Sequence, residues 1–147
     1  MTDAAPRDAV EELLALLRSG YEVEWRGGEV VNGCANAPWP DYHPAVRDGL
    51  AAAGRLLTSL DAPAPTARAG AGDYREGFRR FGHKPMTELD REEAATALTF
   101  VVRTERFVDG TIASWIEDGR LERLLARALR LADGARAPGA PPVDAAQ

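Results

Sequence analysis

The sequence predicts a compact, mainly α-helical domain of about five helices with a small β-hairpin near its N-terminus. Apolar residues recur at helical spacing in several segments, and one short segment alternates apolar with polar residues. Hydrophobic residues form 45% and charged residues 28% of the 147-residue chain, which is typical of folded proteins. We therefore expect one globular domain over residues 1–133.

The first predicted elements are a helix over residues 6–18 and the hairpin. Pro6 suits the first turn of the helix, and Gly20 suits its end. Aromatic and aliphatic residues alternate with glutamates over 21–25, and a glycine-containing turn at 26–29 leads to two β-branched residues. This pattern is typical of a hairpin.

A proline-rich connector separates the hairpin from the second helix. Residues 37–44 contain three prolines, so we expect an extended segment that ends where Pro44 starts the helix. Gly49 and Gly54 should weaken this helix by about 1 kcal/mol each relative to alanine. The Pro, Ala and Gly residues at 62–72 predict a flexible internal linker.

A short helix ending at Gly82 and a longer helix over about 90–107 follow the linker. Thr87 or Asp90 can cap the longer helix. Its predicted apolar face consists of Ala94, Leu98, Val101 and Val102. Because phenylalanines lie on the opposite side, we expect this helix at the centre of the fold.

Two further helices complete the predicted domain. Asp109 can cap a short helix that Gly119 closes in a left-handed conformation. The last helix, 120–132, has leucines on one face and arginines on the other, which we expect to be solvated. Residues 134–147 should form a disordered tail.

The charge balance argues against a nucleic-acid partner. The formal net charge is −5 and the pI is about 5.1, so the chain as a whole repels phosphate backbones. The arginine face of the last helix is a basic surface that could contact nucleic acid, but it has no interleaved aromatic residues on which bases could stack. The N-terminal stretch has acids among its apolar residues, so we expect neither secretion nor membrane insertion.

Cysteine and histidine usage argues against metals and disulfides. Cys34 is the only cysteine, which excludes an intramolecular disulfide and fits a reducing, cytoplasmic location. His43 and His83 have no neighbours at ligand spacing, so we expect no metal, and no motif indicates a cofactor. A nucleophilic set of Cys34, His43 and Asp41 is an alternative that requires the three to meet in space. Arginine-rich, lysine-poor composition favours a bacterial source.

The most informative segment for function is 103–110. Glu105 shares a helix face with Leu98, so we expect it to be partly buried and to need a partner, which Arg103 or Arg106 can supply. Together with Asp109 these residues form either a structural ion-pair network, the interpretation we favour, or a site that binds an anion at a helix start.

The same segment resembles a bacterial family designated domain of unknown function 6508. The pattern R-x-E-R-F-x-D-G at 103–110 is followed by a helical turn that ends at Gly119 and by a leucine-rich helix. Weaker similarity extends to Trp25, Pro38 and Tyr42. The resemblance implies no established activity, substrate or catalytic residue.

Two functional hypotheses follow. The first is a non-catalytic helical binding module that acts on a protein partner or by self-association, based on the exposed aromatic and proline residues from Trp39 to Tyr42. The second is a small enzyme or anion-binding protein. Its binding residues would be Arg103, Glu105, Arg106 and Asp109, with Tyr42 and Trp39 beside them. No catalytic residue is assigned by the sequence.

Overall fold

The computed structural model describes residues 4–35, 37–58, 78–106 and 110–135. The elements of the N-terminal half are α1 (Ala4–Arg18), β1 (Glu24–Arg26), β2 (Val30–Val31), β3 (Cys34–Ala35), β4 (Trp39–Asp41) and α2 (Pro44–Thr58). Residues 78–81 are helical, and they are followed by a 3₁₀ helix (Met86–Glu88), α3 (Arg91–Glu105), α4 (Thr111–Glu117) and α5 (Arg120–Ala135). The predicted mainly α-helical fold with a small N-terminal antiparallel sheet is confirmed.

The strand pairing differs from the predicted hairpin. β1 pairs with β4, with Trp25 opposite Pro40, and β2 pairs with β3. The predicted turn at 26–29 is therefore wrong, because the tight turn lies at Asn32 and Gly33, with φ values of 52° and 79°. An Asn-Gly pair is favoured there, since the type I′ turn of a two-residue hairpin requires positive φ at both central residues.

The core is formed by apolar faces of all the long helices. α3 packs against α2, α4 and α5, while α5 also contacts α1, α2 and the 3₁₀ helix. The largest fully buried side chains are Leu13, Leu57, Leu89, Leu121, Leu124, Leu125, Val10, Val46 and Val101. The predicted central helix is thus enclosed by three others, but α5 contacts more elements than it does.

Gly49 has a packing role that the sequence does not indicate. A Cβ atom at this position would lie 2.5 Å from Cδ2 and 2.6 Å from Cβ of Leu13 on α1. The glycine therefore allows α1 and α2 to approach closely. At Gly54, on the same helix, the nearest atom to an added Cβ would be Cδ2 of Leu98 at 3.8 Å, which is an ordinary contact.

The arginine face of α5 is not simply solvated, in contrast to the expectation. Nε of Arg127 donates a hydrogen bond to the carbonyl of Leu89 at 2.6 Å. The guanidinium of Arg120 lies 4.4 Å from the ring centre of Trp115. Arg127 thus contacts the segment that precedes α3, and Arg120 contacts α4.

Several predicted boundaries and segments can be compared with the described residues. α5 continues to Ala135, past the predicted end at 132, so the first residues of the predicted tail are helical. The predicted linker at 62–72, the rest of the tail and residues 107–109 lie outside the described residues. None of the described helices is both long enough and apolar enough to cross a membrane.

Candidate binding cleft

A cleft of about 910 Å³ lies between β4, α2 and α3. Residues from these three elements form its walls, together with Ile112 of α4. The lining includes Trp39, Pro40 and Tyr42 from β4 and its end, Arg47, Leu50, Ala51 and Gly54 from α2, and Leu98, Thr99, Val102, Arg103, Glu105 and Arg106 from α3 and its end.

The structure brings together most of the residues that the sequence singles out for binding. Trp39, Tyr42, Arg103, Glu105 and Arg106 all line the cleft, although Tyr42 and Glu105 are separated by 63 positions in the chain. Asp109, the remaining candidate, lies outside the described residues.

Glu105 is the most highly connected polar side chain of the cleft. Its Oε1 accepts a hydrogen bond from the backbone N–H of Ile112 at 2.7 Å. Its Oε2 accepts one from the backbone N–H of Gly110 at 3.0 Å and another from the hydroxyl of Tyr42 at 3.1 Å. Because the first N–H groups of a helix have no partner within it, Glu105 satisfies donors at the start of α4 and places a negative charge at the positive end of its dipole.

The expected partial burial of Glu105 is confirmed, and Arg106, one of its two expected partners, is not paired with it among the described salt bridges. The side chain is partly buried, and it is stabilised by backbone donors and a tyrosine. Arg106 is exposed and forms no salt bridge within the part of the chain that the structure describes. Arg103 is exposed as well, so both guanidinium groups border the cleft from solvent.

Tyr42 connects the end of β4 to α4. Its hydroxyl donates to Glu105 and accepts a hydrogen bond from the backbone N–H of Ala113 at 3.1 Å, so both functions of the hydroxyl are used. The tyrosine therefore fixes the position of the strand pair relative to the helix. Sequence reasoning placed Tyr42 near the site but gave no indication of this role.

Gly110 forms the tight junction before α4. Its φ is 99°, and a Cβ atom at this position would lie 3.1 Å from Cη2 of Trp25. The indole of Trp25 thus packs on the start of α4. A larger residue at 110 would have an unfavourable positive φ and would be too close to the Trp25 ring. Gly110 is the N-cap residue and gives no side-chain bond. Glu105 accepts hydrogen bonds from N–H groups at this helix start, whereas Asp109, which was predicted to cap the helix, lies outside the described residues.

The cleft combines exposed apolar surface with positive charge. Trp39 is 46% and Val102 37% exposed, so Val102 does not belong to the buried face predicted for α3. Among the residues that the structure describes, three arginines and one glutamate line the cleft, although the whole chain has a net charge of −5. Arg47 was missed by sequence reasoning. Its spacing from Ala51 and Gly54, which places all three on one side of α2, is the signal that indicates it.

The alternative nucleophilic set is not assembled. Asp41 accepts a hydrogen bond from Nε of Arg26, and Nδ1 of His43 accepts one from the backbone N–H of Ala45 at 3.0 Å, at the start of α2. Cys34 is exposed. Within the described ranges, no hydrogen bond joins these three side chains, and no group of three or more His, Cys, Asp or Glu residues is placed to hold a metal ion.

Residues 74–134 match the model of DUF6508, a family of unknown function. The predicted resemblance is confirmed. The DUF6508 match includes α3, α4 and α5, and therefore Arg103, Glu105 and Arg106. It does not include the strands or α2, which supply Trp39, Tyr42 and Arg47 to the cleft. No curated protein and no solved structure is significantly similar to the chain.

Proposed function

We propose that this chain is a non-catalytic binding module whose ligand lies in the cleft between β4, α2 and α3. The observation that supports this most directly is the exposed pair of apolar side chains, Trp39 and Val102, at the mouth of a cleft large enough for a ligand. Exposed apolar surface of this kind gains free energy when a ligand covers it.

The hydrogen bonds of Glu105 favour binding over catalysis. A general base needs a carboxylate oxygen that can reach the proton of a substrate. Both oxygens of Glu105 already accept hydrogen bonds from the start of α4 or from Tyr42. The second hypothesis was a small enzyme or an anion-binding protein that uses the Arg103, Glu105, Arg106 and Asp109 cluster. Of these two alternatives the enzyme is less well supported, because anion binding needs only the arginines.

The exposed thiol of Cys34 supports a reducing, cytoplasmic location for this module, because an exposed free cysteine is oxidised in other compartments. If the ligand is a protein partner or a second copy of the chain, it would contact the same exposed side chains of the cleft. Self-association would give a mass above that of one chain in light scattering.

The proposal is tested by titrating isotope-labelled protein with aromatic, aliphatic and peptide-like fragments while following its NMR spectrum. We expect saturable shifts of the Trp39 indole N–H and of the Ala51 and Val102 amides. Shifts confined to other surfaces, or no saturable shift with any fragment, would contradict a binding role for the cleft.

Two valine variants give a matched comparison. Val102→Glu places a charge on the cleft wall, whereas Val30→Glu makes the same change on β2, outside the cleft. Both positions are solvent-exposed, at 37% and 69%, so we expect both variants to fold. Val102→Glu should lose fragment binding and Val30→Glu should retain it; equal losses would count against the cleft.

A further inference from the structure

We infer that the ligand of the cleft is a small organic anion with an apolar body, an assignment that rests on the binding role proposed above. Small-molecule sites are typically about 300–1,000 Å³ in volume and are mostly apolar with a few placed polar groups. The cleft, at about 910 Å³, falls within this range. Both α2 and α3 supply apolar residues as well as arginines to the cleft, so a ligand between them can contact both kinds of side chain.

The charge of the cleft selects an anion. Arg47 projects from α2 and Arg106 from the end of α3, and both line the cleft. Within the described ranges neither arginine forms a salt bridge. A guanidinium group binds a carboxylate or phosphate through two parallel hydrogen bonds. These two side chains therefore give the cleft its donors for an anionic head group.

The head group cannot use the start of α4. The backbone N–H groups of Gly110 and Ile112 already donate to Glu105, so the positive end of that helix is neutralised within the protein. We therefore expect the guanidinium groups, rather than the start of α4, to bind an anion in the cleft.

The apolar body of the ligand is matched by apolar residues of the cleft. Trp39 and Val102 are partly exposed, whereas Leu50 and Leu98 are buried, and all four line the cleft. A ring or a short aliphatic chain that covers these side chains removes their apolar surface from water.

An extended peptide is a poorer match than a small molecule. Peptides often bind by adding a strand to an exposed sheet edge. The strand beside the cleft is β4, and its central residue is Pro40, which has no backbone N–H to donate to an added strand. The strand is also only three residues long. The geometry therefore favours a ligand recognised through side chains.

The inference is tested with three probes that share one ring system and differ in charge. These are 2-naphthoate, neutral 2-naphthylmethanol and cationic 2-naphthylmethylammonium, each titrated by NMR at low and high salt. We expect 2-naphthoate to bind most tightly and the cation most weakly, with a preference for the anion that falls at high salt.

Arginine variants test whether Arg47 and Arg106 cause the preference for the anionic probe. Arg47→Gln combined with Arg106→Gln should weaken 2-naphthoate binding by roughly tenfold, which is the loss of about one charge-assisted hydrogen bond, and leave the neutral probe unchanged. Arg55→Gln makes the same charge change elsewhere on α2, outside the cleft, and should leave all three affinities unchanged.

Each other outcome overturns the inference in a distinct way. Equal affinities for the anion and the neutral probe would remove the charge preference while the binding role stands. A short acidic peptide that binds more tightly than 2-naphthoate would assign the cleft to a protein segment. Binding of none of the three probes, while uncharged fragments of other classes do shift the cleft amides, would overturn the anion assignment without contradicting the binding module.

Discussion

Each end of helix α3 has an acidic side chain that satisfies free backbone N–H groups at a helix start. At the N-terminal end these groups belong to α3 itself, and at the C-terminal end they belong to α4. At the N-terminal end, Asp90 accepts a hydrogen bond from the backbone N–H of Glu93, and Glu93 accepts one from the N–H of Asp90, so the helix caps itself. At the C-terminal end, Glu105 satisfies N–H groups of the next helix, α4, together with Tyr42 from the strand region. The first end is built from neighbours in sequence and the second from distant ones.

This difference has a consequence for function. The capping residues at the N-terminal end are accessible to solvent, and the ion pair there joins Glu93 to Lys84, only nine positions earlier in the chain. The C-terminal end brings α3, α4 and the strands together, and in doing so it forms one wall of the cleft. A change at the C-terminal end should therefore affect both folding and the cleft, whereas a change at the N-terminal end should affect folding alone.

The largest expected effect is that of Glu105→Ala. It removes an acceptor of three hydrogen bonds and leaves partly buried donors without a partner. Since one charged hydrogen bond contributes about 1.5–3 kcal/mol and the three share one carboxylate, we expect a loss of about 2–4 kcal/mol in the free energy of unfolding. Urea denaturation followed by circular dichroism measures it.

Arg106→Ala is the control for this variant. Arg106 follows Glu105 directly and is exposed, so we expect its loss to change stability by no more than about 0.5 kcal/mol. If Arg106→Ala destabilised the protein as much as Glu105→Ala, an ion pair between the two residues would be required, and if Glu105→Ala left stability unchanged, the structural role of the carboxylate would be contradicted.

Asp90→Ala should have a smaller effect, at the other end of the helix. Loss of an N-cap side chain typically costs about 1 kcal/mol, and Glu93 still accepts the backbone N–H of residue 90. Thr87→Ala is the matched control, because Thr87 was the alternative cap but lies within the 3₁₀ helix. We expect Thr87→Ala to be nearly neutral in the same urea experiment; comparable losses would show that Asp90 is not the principal cap.

The same contrast explains what sequence reasoning could predict. Asp90 was one of the two caps predicted for the start of α3, because capping depends on residues within one turn. The partners of Glu105 could not be predicted, because Tyr42 becomes a neighbour only after the strands pack on α4. Local patterns predicted the helices, while the cleft depends on contacts between elements.

Two errors have particular physical causes. The turn at 26–29 was chosen for its glycines, although Asn32-Gly33 is the stronger signal for a two-residue hairpin turn. Val102 was assigned to the apolar face of α3 together with Ala94, Leu98 and Val101. Its neighbours leave that side of α3 partly uncovered, and Val102 is 37% exposed while Val101 is fully buried.

The smallest expected effect is the pH dependence of the Lys84–Glu93 pair. Burial of Glu93 raises the pKa of its carboxyl, but hydrogen bonds from Lys84 and from the backbone of Asp90 outweigh this, so the pKa lies below its ordinary value. The hydrogen bond from Lys84 to Glu93 in turn raises the pKa of Lys84. The Nζ to Oε1 distance is 2.8 Å, and both side chains are partly accessible to solvent.

The sign of the pH dependence follows from linkage. Because the pKa of Glu93 is lowered on folding, its contribution to stability is complete above the pKa of the unfolded chain and is lost as the pH falls through the folded value. The contribution of Lys84 is complete below its unfolded pKa and is lost as the pH rises through its raised folded value. Between these two limits the pair stabilises the fold fully, although salt should weaken it because the pair is accessible to solvent.

Lys84→Met tests this assignment. We expect a small loss of stability near neutral pH, less than that of Asp90→Ala, and a difference from the unmodified protein that narrows as the pH falls through the pKa of Glu93. Urea midpoints measured over the acidic range give this difference directly, and Glu92→Gln, which alters the adjacent exposed carboxylate, should not reproduce the narrowing. A difference that stays constant with pH would show that Lys84 stabilises the loop by packing rather than by charge, and that Glu93 caps the helix without help from a cation.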